Sequence, residues 1–534
     1  MLAKSLSCSV IGIDAYKVDV EVDIAEGLPA FNIIGLPDTA IRESKDRIKF
    51  AIKNSGYRFP KGKITVNLAP ANIRKEGSGF DLPITLSLLS ALGIINQDKL
   101  LEFAICGELS LDGKLKEIRG ALPMSLGLRE KNVSKFVLPK KNLAEVSSVN
   151  GIKIYTFENL NNVIDFLDNK IEMAPQNKNI RPKIKCKSKY SRDFTDVKGQ
   201  EHVKRGLEVA ASGGHNALLI GPPGSGKSML AKRVPTILSE MAIEEVLETS
   251  KIHSVAGLLS PNKGLVLNRP FRNPHHTISD AAFAGGGSNP IPGEISLAHN
   301  GVLFLDELPE FKRNVLELLR QPLEDGAIRI SRVKSSAIYP CRFMLIAAMN
   351  PCPCGYFTDP KKECHCTPHQ IQRYLSKISG PLLDRIDLHL NVPRLNYEEL
   401  SGRRKGDPSE VIRERVNKAR KVQEKRYKQE CNRGLLVPRS LGEGGNPGRP
   451  PDSGPYFNAH LESKNLEKHC TLDKEGEELL KMAILELGIS ARAYDKILKV
   501  SRTIADLEEK KTIEASHISE AISYRSLDRD FWMM

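Results

Sequence analysis

At 534 residues, with 40% hydrophobic and 27% charged residues, the chain has the length and composition of a globular protein of about three domains. It contains no run of about 18 apolar residues, and its N-terminus lacks the basic and then apolar pattern of a signal peptide, so we expect a cytoplasmic protein without a membrane partner. The net charge of +14 and the pI near 9.1 favour a polyanionic partner, DNA or RNA.

The first part of the chain reads as one domain followed by a linker. The segment from Ser9 to Asp14 alternates in polarity like a strand, and we assign residues 1–172 to the first domain. Residues 173–192 are predicted to form a basic linker, because Pro175 and Pro182 lie among lysine and arginine residues with few apolar ones.

A glycine-rich segment follows the apolar run Ala217–Ile220 and precedes a helical pattern. In this order of strand, turn and helix, the pattern G-x-x-x-x-G-K-[ST] predicts a phosphate-binding loop for ATP or GTP rather than an ordinary glycine-rich turn. We expect Lys227 to reach the β- and γ-phosphates and the Ser228 hydroxyl to bind Mg²⁺. The predicted nucleotide-binding residues are Gly221, Pro222, Pro223, Gly224, Ser225, Gly226, Lys227 and Ser228.

A second apolar run, residues 301–305, ends in two carboxylates. Asp306 at the strand tip is expected to hold Mg²⁺ through water, while Glu307, one residue further, points elsewhere and can polarise an attacking water. A surface acidic pair is the alternative, but such pairs seldom end a fully apolar strand. The two motifs together predict Mg²⁺-dependent hydrolysis of a nucleoside triphosphate.

A third apolar strand, residues 342–349, ends at Asn350, which we expect between the two motif strands and near the γ-phosphate, where it can position water. Four cysteines follow within fifteen residues, a spacing that suits a structural Zn²⁺ site, with reduced buried thiols as the alternative. His365 and His369 are candidate replacements for one thiolate. The predicted zinc ligands are Cys352, Cys354, Cys364 and Cys366.

The C-terminal region begins with a charged segment, residues 403–428, in which 411–422 reads as a helix. Its charge fits either a solvated helix face or nucleic-acid binding, and a nucleotide-driven motor in the same chain favours the second. Residues 434–455 are rich in glycine and proline, and we interpret them as an inserted, disordered loop without chemistry.

The order of these elements resembles an AAA+ ATPase of the magnesium-chelatase and replicative-helicase branch. The resemblance implies that Asn350 is sensor 1, that Arg385 in the run 379–388 is an arginine finger for a neighbouring subunit's ATP, and that Arg492 in the run 489–495 is sensor 2. A site completed by a neighbour exists only at a subunit interface, so the resemblance also implies a ring, usually a hexamer.

Further motifs resemble the ComM/YifB family of Mg-chelatase-like ATPases over nearly the whole chain. These motifs are residues 31–38, 273–280, 284–287 and 292–299. The resemblance implies a DNA-dependent motor that drives branch migration when single strands are integrated during natural transformation. It also implies hairpins facing the ring pore within 258–289 and 327–340, where the candidate phosphate contacts are Lys263, Arg269, Arg272, Arg329, Arg332 and Lys334.

The first domain resembles the domain of Lon protease, through residues 75–84 and 107–115. A Lon-type peptidase needs a serine nucleophile and a nearby lysine. The serine position falls on Asp81 and the lysine position on Leu122, and Ser78 is a weak substitute that reads better as a turn residue. We therefore expect a domain that is not proteolytic.

The sequence thus predicts an α/β protein with an AAA+ P-loop ATPase core at 193–398, an N-terminal Lon-protease-like α+β domain, and a C-terminal helical lid at 399–534. Its predicted cofactors are ATP, Mg²⁺ and a candidate structural Zn²⁺. The leading function is a hexameric motor on branched or single-stranded DNA. The alternatives are a chelatase-like chaperone for metal insertion or protein remodelling, and an ATP-dependent peptidase that the missing dyad weakens.

Overall fold

The computed structural model describes residues 1–177, 190–259, 264–287, 290–332, 335–357, 359, 361–397, 399, 406–432, 457–461, 463–487 and 490–525. The middle of the predicted linker, the whole predicted insertion, Lys263 and Lys334 lie outside these described residues, as does the side chain of Arg332.

Contacts divide the chain into two compact units. The first unit comprises Met1–Cys186 and Val246–Val266, and the second comprises Lys187–Glu245 and Leu267–Met534. The chain therefore leaves the second unit and returns to it, which the sequence analysis did not foresee. The finer domain boundaries at 173, 193 and 399 stay predictions.

The first unit contains a 7-stranded mixed sheet in the order β3-β4-β2-β1-β5-β8-β9, with a two-stranded sheet β6-β7. Burial alternates along β4, where Ile64, Val66 and Leu68 are buried, as expected for a strand with one face on a core. The strands are β1 Leu2–Ile11, β2 Asp14–Ala25, β3 Ala30–Ile34, β4 Lys63–Ala69, β5 Ala104–Ile105, β6 Glu108–Leu109, β7 Leu115–Lys116, β8 Lys135–Pro139 and β9 Lys153–Phe157.

Helices pack against this sheet. The apolar helix α3 contacts β1 and β2, and all its residues except Ser90 are buried. The helices of this part of the chain are α1 Thr39–Arg42, α2 Ser44–Asn54, α3 Asp81–Ala91, α4 Gln97–Leu101, α5 Ala121–Glu130, α6 Leu143–Val146 and α7 Leu160–Leu167.

The second unit is built on a 5-stranded sheet in the order β11-β14-β17-β10-β18. All neighbouring pairs in this sheet are parallel, and the residues of β10, β14 and β17 are all buried, as expected for strands covered on both faces. The strands are β10 Ala217–Ile220, β11 Phe271–Arg272, β12 Gly285–Gly286, β13 Ile291–Pro292, β14 Val302–Leu305, β15 Ala327–Arg332, β16 Ser335–Pro340, β17 Met344–Met349 and β18 Leu388–Asn391.

Two antiparallel pairs, β12-β13 and β15-β16, lie outside the main sheet. The pair β15-β16 falls within the predicted segment 327–340, whereas in the first pair β12 lies within the predicted segment 258–289 and β13 just after it. The two pairs touch each other, because the Tyr339 hydroxyl donates to the Pro290 carbonyl at 2.6 Å. A Cβ atom on Gly285 would lie 2.4 Å from Cδ1 of Ile330. Whether they face a ring pore stays a prediction.

The helix predicted at 411–422 is confirmed as part of α18, whose Ile412, Val416 and Ala419 are buried in the core. The helices from residue 201 onward are α8 Glu201–Gly213, α9 Lys227–Ala231, α10 Val234–Ile237, α11 Ile243–Val255, α12 Asp280–Ala284, α13 Glu294–Leu297, α14 Arg313–Glu317, α15 Arg320–Asp325, α16 Pro368–Leu375, α17 Gly380–Leu383, α18 Ser409–Asn432, α19 Ser463–His469, α20 Lys474–Leu487, α21 Ala491–Leu507 and α22 Ala515–Ser523.

The predicted α/β class is confirmed. The Lon-like assignment of the first unit and the assignment of the C-terminal helices as a lid stay predictions. In the part of the chain that the structure describes, each helix is too short or too polar to cross a membrane.

Candidate nucleotide site

The glycine-rich loop leaves the carboxyl end of β10 and leads into α9. Gly224 and Gly226 have φ angles of +78° and +93°, a region that residues with a side chain rarely adopt. A Cβ atom on Gly221 would lie 2.1 Å from the carbonyl oxygen of Val392, so no side chain fits there. The glycines of the motif are therefore required by the shape of the loop.

Lys227 lies inside the loop and is only 8% exposed. Its Nζ donates to the carbonyl oxygens of Gly221 and Pro222 at 2.7 and 2.9 Å, and to Oδ1 of Asn350 at 3.1 Å. Burial lowers the pKa of Lys227 to about 8, although the nearby carboxylates of Asp306 and Glu307 raise it. The loop thus holds the Lys227 ammonium group at its centre, where the charged form is only weakly stabilised until an anion binds.

Asp306 follows the buried strand β14 and faces the same loop. The Ser228 hydroxyl donates to its Oδ2 at 2.5 Å, so the two predicted Mg²⁺ ligands are in direct contact. Strand β17 lies between β14 and β10, and Asn350 follows its last residue. The structure therefore brings Lys227, Ser228, Asp306 and Asn350 together at the carboxyl edge of the sheet.

Glu307 departs from the strand direction with a φ of +54°. Oε2 of Glu307 lies 3.6 Å from Nδ1 of His276, whose ring also meets the Phe311 ring edge-on at 6.4 Å. His276 belongs to a motif that the sequence analysis used only to identify the family. Its contact with Glu307 joins residues 31 positions apart and could not be read from local pattern.

Gln200 is a second residue that sequence reasoning missed. It precedes α8 with a φ of +56°, and its Nε2 donates to the carbonyl oxygens of Ser225 and Pro393 at 2.7 and 3.1 Å. Gln200 thus links the phosphate loop to the segment after β18. A polar residue before a helix gives no sequence signal for this role.

Arg385 lies at the other end of the sheet. Asn216, directly before β10, donates through Nδ2 to the Arg385 carbonyl at 2.9 Å. The Arg385 side chain lines a cavity of about 540 Å³, together with Gly301 and Met344 at the amino ends of β14 and β17. Its guanidinium pairs with Glu324, and the structure does not bring it to the phosphate loop of its own chain.

Arg492 lies beside Arg385 rather than beside the phosphate loop. Its Nη1 is 3.2 Å from Oδ2 of Asp384, the residue before Arg385, and its side chain is 72% exposed. The two arginines taken from the family resemblance therefore share one end of the unit, and most of the Arg492 side chain is accessible to solvent although it pairs with Asp384.

The four cysteines predicted to bind zinc cluster directly after Asn350. One ligand atom from each of them lies within 4.8 Å of the others, and the Sγ atoms of Cys352, Cys354 and Cys364 are 3.3 to 3.6 Å apart. A tetrahedron with metal–sulfur bonds of about 2.3 Å has edges of about 3.8 Å, so this spacing fits Zn²⁺ and is too long for disulfide bonds.

The candidate DNA contacts have different outcomes. Arg269 is 8% exposed and pairs with Glu245 at 3.1 Å, so its prediction as a surface phosphate contact was wrong. Arg272 is engaged by Glu294 through two bonds of 2.6 and 2.5 Å. Arg329 is exposed on β15 and stays a candidate.

In the first unit, the two positions aligned with a peptidase dyad hold other groups. Asp81 is 1% exposed and accepts bonds of 2.8 and 3.1 Å from Arg47, and burial raises its pKa to about 6 against the opposing effect of Arg47. Leu122 is buried, and the Ser78 hydroxyl donates to Glu108 rather than to a basic group. Among the described residues, this region offers no serine–lysine pair.

Comparisons with known proteins agree with these features. Family models described as "Subunit ChlI of Mg-chelatase", "Magnesium chelatase, subunit ChlI" and "Magnesium chelatase, subunit ChlI C-terminal" match residues 20–142, 193–400 and 406–525. The protein YifB of Escherichia coli is 42% identical over 522 residues, which covers 98% of this chain and 96% of YifB. The competence protein ComM of Haemophilus influenzae is 40% identical over 533 residues, which covers 99% of this chain and 98% of ComM. The chain therefore belongs to the ComM/YifB family of Mg-chelatase-like proteins.

Proposed function

We propose that this protein is an ATP-hydrolysing motor that works as a ring, most simply a hexamer, on branched or single-stranded DNA. The observation that carries the proposal is the separation of two half-sites. The phosphate-loop network lies at the carboxyl edge of the parallel sheet, whereas Arg385 lies at the amino edge of the same sheet. One chain therefore offers a nucleotide site on one side and an arginine for a neighbouring site on the other.

The loop residues fit a bound triphosphate and its Mg²⁺. The Ser225 hydroxyl is buried and has no hydrogen-bond partner within the described ranges, so the loop holds an unused donor. Backbone N–H groups and Lys227 would bind the phosphates, and Ser228 and Asp306 would hold Mg²⁺, which supplies positive charge against the phosphate oxygens.

Hydrolysis needs a group that activates water and charge that stabilises the transition state. Glu307 would accept the proton of an attacking water, and Asn350, already bonded to Lys227, would orient that water. Arg385 and Arg492, which share one end of the unit, would act together on the ATP of the neighbouring subunit. A finger supplied in this way is worth about 10³-fold or more in rate.

DNA is the proposed partner for three reasons. The net charge is +14, two antiparallel strand pairs lie outside the five-stranded sheet, and a relative of nearly equal length is a competence protein. Exposed Arg329 on the second hairpin is a candidate phosphate contact. A salt-dependent affinity would follow, since each neutralised phosphate releases counterions.

We further propose that the four cysteines bind one structural Zn²⁺, on the strength of their sulfur spacing. The first unit is proposed to be non-proteolytic, because Asp81 is neutralised by Arg47 where a nucleophile would stand. It would organise the ring or guide DNA.

The test is ATP turnover of the full-length chain with and without forked DNA, together with its mass in the presence of ATP. We expect DNA to stimulate turnover and ATP to support a ring. Turnover that ignores DNA, in a protein that fails to bind DNA at physiological salt, would instead favour a chelatase-like chaperone, which the names of the matching family models also suggest.

A further inference from the structure

The four-cysteine cluster lies beside the nucleotide site, and only Pro351 separates Cys352 from Asn350. Cys352 is fully buried, and its Sγ accepts N–H bonds from Gly355 at 3.2 Å and from Phe357 at 3.3 Å. The Gly355 N–H also lies 3.0 Å from the Cys352 carbonyl, which closes a tight turn. Backbone donors around a sulfur stabilise it as a thiolate and fix its direction towards a metal.

This turn touches the phosphate loop directly. A Cβ atom on Gly355 would lie 2.6 Å from Cδ of Pro223 and 3.8 Å from Cγ of Asn350. Gly355 has a φ of +84°, so both its conformation and its lack of a side chain are used at this contact. The turn therefore supports one residue of the phosphate loop and the side chain that bonds Lys227.

The second half of the cluster is connected to the same site. Cys366 is followed at once by Thr367, whose side chain caps α16, and the backbone of Asn350 acts on the hydroxyl of Tyr374 in the same helix, where it opposes the burial that raises the pKa of Tyr374. A metal held by Cys352, Cys354, Cys364 and Cys366 would thus join the end of β17 to the beginning of α16 across the nucleotide edge.

We propose that zinc occupancy of the cysteine cluster sets the affinity for ATP, because the metal holds Gly355 against Pro223 and Asn350. The inference rests on the proposed nucleotide and zinc sites and is independent of the proposed action on DNA. Without the metal, four thiols whose ligand atoms lie within 4.8 Å of one another lose their common partner, so the turn and the phosphate loop lose their shared support.

The experiment uses the full-length protein and measures two quantities, zinc per subunit and the Kd of a fluorescent ATP analogue with Mg²⁺. The double variant Cys364→Ser/Cys366→Ser is expected to hold less than about half an equivalent of zinc and to bind the analogue about tenfold more weakly. Cys470→Ser, which removes a buried thiol outside the cluster, should change neither quantity.

The variant Gly355→Ala tests the contact of the turn with the phosphate loop separately from metal binding. This variant keeps all four thiols and should retain zinc, yet its methyl group must displace Pro223, so we expect a similar loss of affinity. Chelation of the wild-type protein followed by zinc addition controls for misfolding, since affinity should fall and then return.

Three results would overturn the inference. The first is a wild-type protein with under about half an equivalent of zinc after growth with ample metal. The second is a zinc-free protein that binds the analogue as tightly as the wild type. The third is a Gly355→Ala variant with full zinc and unchanged affinity. DNA is absent from all these measurements, so a protein that binds ATP but ignores DNA would refute the proposed motor and leave this result standing.

Discussion

Replacing Arg385 by alanine is expected to reduce ATP turnover by about 10³-fold while leaving ATP binding intact. The reason is geometric, because Arg385 lies at the amino edge of the sheet, and in the proposed ring it would complete the site of a neighbouring subunit. Lys227→Ala should also lose ATP turnover, but through a defect in its own nucleotide site. The substitution removes the group that bonds Gly221, Pro222 and Asn350 inside its own loop.

Mixing the two inactive variants gives a quantitative expectation. An interface works when the Arg385→Ala subunit, which keeps Lys227, receives its arginine from a Lys227→Ala neighbour. With equal amounts and random assembly, about one interface in four meets this condition, so turnover should return to about a quarter of the wild-type rate. Each variant alone should stay near background.

The ion pair between Arg385 and Glu324 gives a second quantitative expectation for ATP turnover. Glu324 is 59% exposed, so this ion pair is worth at most about 1 kcal/mol, and releasing Arg385 from it costs no more than about fivefold in rate. Glu324→Gln should therefore raise turnover by up to about fivefold, far less than the loss in Arg385→Ala.

If the mixture of the Lys227→Ala and Arg385→Ala variants is no more active than either variant alone, although mass measurement shows mixed rings, action across the interface is refuted.

Three further changes test other contacts. His276→Ala should raise turnover without DNA by up to about fivefold, because it frees the Glu307 carboxylate from a partly exposed partner. The affinity for ATP should fall by up to about tenfold per pH unit above pH 8, since the free protein loses the Lys227 proton there and the bound phosphates require it. Asp506→Ala should lower the free energy of unfolding by about 3–5 kcal/mol, because buried Asp506 accepts bonds from Arg426 and Arg502.

Each of these has its own check. His275→Ala is the matched control for His276→Ala, since the His275 side chain hydrogen-bonds Thr277 at 2.9 Å. A His276→Ala enzyme that is slower than the wild type would mean that the His276 imidazole positions Glu307 for catalysis. Nucleotide titrations between pH 7 and 9.5 test Lys227, and a flat profile would contradict its buried environment. Denaturant unfolding measures Asp506→Ala, and a loss below about 1 kcal/mol would show that the buried arginines find other partners.

The sequence predicted which residues meet at the candidate nucleotide site wherever the residues of a motif are continuous along the chain. Phosphate loops and strand-end carboxylates are continuous in sequence, so Lys227, Ser228 and Asp306 could be recognised one motif at a time. Their meeting with Asn350 also followed from a general rule, because carboxyl ends of adjacent parallel strands meet at one edge.

Pairing across the chain explains what the sequence could not predict. Arg269 was a candidate phosphate contact because it lies in a segment where the family resemblance implies a hairpin, yet it pairs with Glu245, 24 residues away. His276 and Gln200 act on the site only through folding that brings them beside Glu307 and Ser225. Charge and local pattern do not reveal such partners, since they depend on tertiary packing.

The division of the chain into two units affects how the first unit folds during translation and how the chain responds to proteolysis. The first unit takes residues 246–266 from beyond the glycine-rich loop, and Ser254 there donates to the buried Glu145 at 2.8 Å while its carbonyl accepts from Gly120. During translation, the chain must therefore extend past residue 266 before the first unit can complete its fold. A fragment ending near residue 186 would expose the surface that those residues cover, so limited proteolysis should release no stable piece of that length.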